Sequence, residues 1–192
     1  MTDRIRHLME QIDTLEAELN KALQEKQIHL NFTIQGKRIK FEKSITEAHK
    51  NLKIGLIKWL GNRPRNLITA PIIYGMIFPM LVLDICITFY QMTCFPIYGI
   101  KKVKRSDYMV FDRRHLSFLN FVEKSHCIYC TYGNGLLAYA TEVLARTEQY
   151  FCPIKHARKM LGVHTRYKQF IEYGDATDYH KRLEEFRKSL GN

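Results

Sequence analysis

Residues 67–100 read LITAPIIYGMIFPMLVLDICITFYQMTCFPIYGI, and the reading of this stretch decides the reading of the chain. Its 34 residues carry one formal charge, Asp84, whereas about 20 apolar residues suffice for a helix to cross a bilayer. The stretch is too long for one untilted pass and barely long enough for two. Pro71, Pro79 and Pro96 break or kink a helix here, and Gly75 adds a weak point. A membrane-inserted helical segment, kinked or re-entrant, satisfies these features; a single tilted pass and the buried core helix of a soluble protein are its competitors. Asp84, Thr88 and Gln91, four and three apart, share one helical face. A carboxylate is costly in hydrocarbon, so this stripe must face protein, water or another copy of the chain. A structural polar seam is the plainer reading of it than a transport pathway, because one acid does not make a pathway.

Both flanks are cationic. Residues 28–66 hold nine basic side chains against two acidic, and residues 101–114 hold six against two, within a net charge of +11 over 192 residues. Cations on either side of an apolar run point to an anionic lipid membrane, each contributing about 1 kcal/mol near such a surface. Nucleic acid would accept the same charge without explaining the apolar run, so it is the weaker partner. The positive-inside rule places both ends on the cytosolic side. The N-terminus is charged and periodic from the start and resembles no secretory signal.

Ahead of this segment, Ile5, Leu8, Ile12, Leu15, Leu19 and Ala22 alternate three and four apart, so residues 1–27 predict a coiled-coil helix and a homodimer through it. Packing of the same stripe within one chain is the alternative. Residues 28–43 alternate apolar and polar around Gln35-Gly36-Lys37 and predict a β-hairpin. Ser44-Ile45-Thr46-Glu47 has capping-box form, and residues 44–66 predict a basic amphipathic interfacial helix with Trp59 at head-group depth.

Residues 101–192 predict a C-terminal helical Cys/His domain. Asp112 can cap a helix carrying Leu116, Leu119 and Val122; Asn134 opens a second; Pro153 suits the start of a third, ending near Gly162. A last charged helix follows Asp175 and Thr177 and runs to Leu190. Cys127-x-x-Cys130 and Cys152-x-x-x-His156 then lie at the ends of successive helices, and an antiparallel hairpin would bring them together. Four N/S ligands in a tetrahedron suit a structural zinc ion, with an iron–sulfur cluster or thiol redox chemistry as alternatives on the same cysteines. Inert burial of small apolar thiols is the bland reading. Glu123-x-x-His126 has the spacing found in di-iron bundles, but those need two such pairs.

The run FDRRHLSFLNFVEKSHCIYCTYGNGLLAYATEVLARTEQYFCPIKHAR (111–158), with LITAP (67–71) and CFPIYGIKKVKRSDY (94–108), resembles a group of bacterial membrane-associated proteins of unassigned function. The likeness covers residues 32–158 and implies a bacterial inner-membrane location. It brings no activity, cofactor or catalytic residue. The expectation is a mainly α-helical, membrane-anchored interaction or regulatory protein with an unknown protein partner, and no enzymatic reaction is legible.

Overall fold

A computed structural model describes residues 3–29, 32–35, 38–41, 43–53, 55, 61 and 64–191. The chain is mainly helical. Helix α1 spans Asp3–His29, followed by strands β1 (Phe32–Gln35) and β2 (Arg38–Phe41), which pair antiparallel with Phe32 opposite Phe41. Helix α2 covers Lys43–Asn51. The interfacial helix expected over residues 44–66 is corrected in part: α2 stops at Asn51, Lys53 and Gly55 are not helical, and residues 64–66 open a further helix, while Leu56, Trp59 and Leu60 lie outside the described residues.

The apolar stretch forms two nearly continuous helices, α3 (Pro64–Gly75) and α4 (Ile77–Ile97). The joint falls at Met76 for a covalent reason. Pro79 has no N–H to donate to the Gly75 carbonyl, but it sits in the first turn of α4, where that donor would be an orphan anyway. Pro96 likewise marks the last turn of α4, and Gly99 leaves it with φ +67°.

Helix α5 is a single rod, Phe121–Phe151. It begins at Asn120, whose side chain accepts from the Glu123 N–H at 2.9 Å while the Glu123 carboxylate accepts from the Asn120 N–H at 2.9 Å. Two expectations are thereby corrected. Asp112 precedes only a 3-10 turn, Arg113–His115, and Asn134 opens no second helix. Asn134 lies inside α5 with its amide donating to the Cys130 carbonyl at 2.8 Å. Gly133 and Gly135, on either side of it, are both buried within the helix. Pro153 starts no third helix: the backbone beyond α5 is extended, and Ile154 bridges Ile171 in parallel. The last helix, α6, covers Tyr179–Ser189.

Helices α4 and α5 run side by side in the same direction. Tyr74 meets Tyr129 at the start of the pair, Gln91 meets Tyr139 midway, and Tyr98 meets Tyr150 at the end. Parallel neighbours need a long return connection, and residues 98–120 supply it. Val103 bonds to Gln91, Arg105 to Asp84, and Phe111 reaches the level of Tyr74 and Ile77. The crossover thus travels back along α4 and packs with both helices. The core lies among these three pieces, with Phe95, Leu136, Tyr139 and Val143 at most 1% exposed.

Candidate functional site

The four expected metal ligands are distributed along α5 and beyond it. Cys127 and Cys130 stand one turn apart near its start, and Cys152 caps its end. They belong to one rigid element, so the 25 residues from Cys127 to Cys152 put them roughly 37 Å apart at 1.5 Å per residue. His156 follows in extended backbone, its ring stacked on Tyr167 with centroids 6.2 Å apart and its N–H donating to the Tyr167 hydroxyl at 2.6 Å. The antiparallel hairpin that would gather the ligands is not formed, because the Tyr/Gly run 129–135 continues the helix. All five cysteines are free thiols, and among the described residues no three His, Cys, Asp or Glu side chains come together as a metal site. Glu123, the acid of the Glu-x-x-His pair, is engaged in the helix cap. We expect purified protein to carry well under one equivalent of zinc or iron and its thiols to alkylate without denaturant; a stoichiometric metal protecting Cys127, Cys130 and Cys152 together would overturn this arrangement.

What the structure does assemble is the polar seam of α4. Asp84 is 7% exposed and Gln91 6%. Arg105 grips Asp84 with two N–H donors at 2.6 and 2.5 Å, and the Tyr132 hydroxyl donates to the second carboxylate oxygen at 2.8 Å. Burial, then the bond to Asp84, raises the Tyr132 phenol above its ordinary value, so it stays a donor. Gln91 behaves as a backbone surrogate: its carbonyl accepts from the Val103 N–H at 2.7 Å, and its amide donates to the Val103 carbonyl and to the Tyr139 hydroxyl. The charges and amides of the stripe are consumed in fastening the crossover, and they face protein.

A second polar cluster fastens the C-terminal segment. One Glu142 oxygen accepts from Arg146 at 2.9 Å and from Arg166 at 2.8 Å, while Arg166 also reaches Gln149. Gln149 in turn donates to the Phe186 carbonyl and the Ser189 hydroxyl of α6. Burial pushes the Glu142 carboxyl up, but the donors of Arg166 and Arg146 outweigh it and leave it below its ordinary 4.5. A carboxyl depressed in the fold stabilises above its unfolded value and loses that contribution as pH falls through the folded one. We therefore expect the C-terminal segment to loosen from α5 on acidification below about 4.5, read by hydrogen exchange in residues 164–171.

The outward faces are chemically different from this interior. On α3 and α4, Ile68, Ile72, Phe78, Val82, Ile85, Phe89 and Met92 each expose more than half of their surface. Residues Ile68–Tyr98 form one run apolar and long enough to cross a membrane, and little of it is buried. A core helix would be mostly covered, so the soluble alternative fits this geometry poorly. The outer face of α5 also carries no charge between Cys130 and Leu144: Cys130, Asn134, Leu137, Ala138, Thr141 and Leu144 are its exposed residues. Between the two helices, Tyr74, Ile77, Leu81, Phe111, Ile128 and Tyr132 line an apolar groove of about 480 Å³. Sequence reasoning found the apolar run but missed Arg105 and Tyr132, whose signal is only that a lone membrane-depth acid demands donors from elsewhere. No family model, no curated protein and no solved structure matches the chain.

Proposed function

We propose that this protein is a membrane-anchored interaction or regulatory protein, held at the cytosolic face of a bacterial inner membrane by α3 and α4. The exposure of the apolar run Ile68–Tyr98 carries the reading: side chains of this kind left in water favour transfer to lipid by about 25 cal/mol per Å². The cationic residues of the flanks supply attraction to anionic head groups. A zinc centre, an iron–sulfur cluster or a redox couple built on Cys127, Cys130, Cys152 and His156 would need the first pair brought to the second, which the continuous α5 holds apart, so the proposed reading rests on surfaces. The expected result is full-length protein in the membrane pellet of a detergent-free lysate, released by detergent. Monodisperse, lipid-free protein in the supernatant sinks the proposal.

The protein-facing surface on this reading is α1. Leu8, Ile12, Leu15 and Leu19 are between 44% and 63% exposed, and among the described residues α1 approaches the folded body where Asp13 comes within 4.0 Å of Lys168. A second copy offers the same stripe and would cover it in a coiled coil. Leu15→Asp should abolish self-association of detergent-solubilised protein in sedimentation runs; an unchanged oligomer would remove α1 from the interface.

A further inference from the structure

We infer that α4 lies in the plane of one leaflet of an anionic bilayer and does not cross it. The inference rests on the membrane reading above and goes beyond it to the mode of insertion. A helix can cross a bilayer only if what is bound along its length can cross with it. Here the return segment is bound along α4 for most of its length: Ile100 beside Phe95, Val103 on Gln91, Arg105 on Asp84, Phe111 by Ile77. That segment exposes Lys101, Lys102, Lys104, Arg105 and Asp107. Stood upright, α4 would carry five formal charges and a non-helical backbone into the hydrocarbon, where each charge is a costly guest and unpaired peptide groups are not tolerated in contact with lipid.

Laid flat, the same structure has two suitable sides. By helical spacing, the α4 residues that touch the crossover and α5 (Asp84, Ile87, Gln91, Phe95) lie opposite Val82, Ile85, Phe89 and Met92. On α5, Gly135 abuts the crossover, whereas Leu137, Thr141 and Leu144 point the other way. Both helices therefore turn an uncharged face to one side while the crossover occupies the other. A helix is about 10 Å across, and in-plane helices sink about 5–10 Å below the head groups. That depth sets the lysines of the crossover among the lipid phosphates, which is the charge complementarity that selects a leaflet over a second apolar protein.

Spin labels at F78C, I85C and M92C, each made in a cysteine-to-serine background of the full chain, report on one exposed stripe spanning about 21 Å of helix. On vesicles of phosphatidylcholine and phosphatidylglycerol we expect flotation and three power-saturation depths equal within a few ångströms, all shallow. Depths graded over some 20 Å between 78 and 92 would overturn the in-plane inference and leave the membrane reading standing. Protein that fails to float, with all three labels in water, would overturn both. The positions are exposed, and circular dichroism matching the unlabelled chain verifies that each variant is folded.

Discussion

Arg105→Ala is expected to lower the stability of the folded protein by about 3 kcal/mol, measured by urea denaturation in mild detergent. The residue removed is, among the described residues, the one cation paired with a carboxylate that is 7% exposed, and the bond is bidentate at 2.6 and 2.5 Å. Without it, Asp84 keeps, among the described residues, Tyr132 and a long 3.4 Å bond from Thr88 for a charge that water barely reaches. Breaking such a pair from the cationic side costs about 3–5 kcal/mol, and the lower end applies because the Arg105 side chain is itself 43% exposed. The reciprocal change separates burial from pairing. Asp84→Asn leaves a guanidinium that water can solvate and an amide that still accepts from Tyr132, so its loss should stay near 1 kcal/mol. Equal losses in the two variants, or a loss under about 1 kcal/mol for Arg105→Ala, would reduce the pair to an ordinary surface ion pair.

The same pair illustrates what was legible in the sequence. That Asp84 could not face lipid followed from its solitude in 34 residues, and the shared face with Thr88 and Gln91 followed from spacing alone. Its partner was not legible, because Arg105 lies 21 residues on in a basic run that reads equally well as a lipid-binding patch. Local rules also failed at Gly133-Asn134-Gly135. Two glycines around an asparagine have poor helix propensity, so a break there was the sensible expectation, yet tertiary packing overrode it. That one override also leaves the four expected metal ligands apart in the structure, since a continuous helix separates ligands that a hairpin would join. The N-cap of α5 is hidden for another reason: Asn120 and Glu123 form a capping box, but a helix expected to start at Asp112 and to carry Leu116, Leu119 and Val122 would place both residues inside it. The final helix, by contrast, starts just past Asp175 and Thr177 and ends at Ser189, because its charge pattern and flanking turn are local properties.

Gly135→Ala should be destabilising by about 2–3 kcal/mol, although alanine is favoured over glycine by about 1 kcal/mol in a helix interior. The reason is the crossover. A methyl group at residue 135 would stand 2.7 Å from the Tyr108 carbonyl oxygen and 3.2 Å from the Met109 Cα, which are backbone atoms with no rotamer to yield. Relief requires the return segment to lift off α5, and Tyr108 leaves its contact with Tyr139, a ring 1% exposed at the centre of the core. Arg105 lies three residues before Tyr108, so the lift also strains its grip on Asp84. Gly133→Ala is the internal control, two residues away on the same helix. Its methyl meets the Met80 sulfur at 3.2 Å and Cε at 3.4 Å, the far end of a flexible side chain that can shift. There the propensity gain should prevail, giving a change within about 0.5 kcal/mol of zero or a modest stabilisation. The contrast between neighbouring glycines is the measurement: hydrogen exchange should accelerate across residues 101–109 in the Gly135 variant and stay unchanged in the Gly133 variant. Identical behaviour of the two would mean that the return segment does not lie against α5, and the parallel helix pair would lose the connection that defines it.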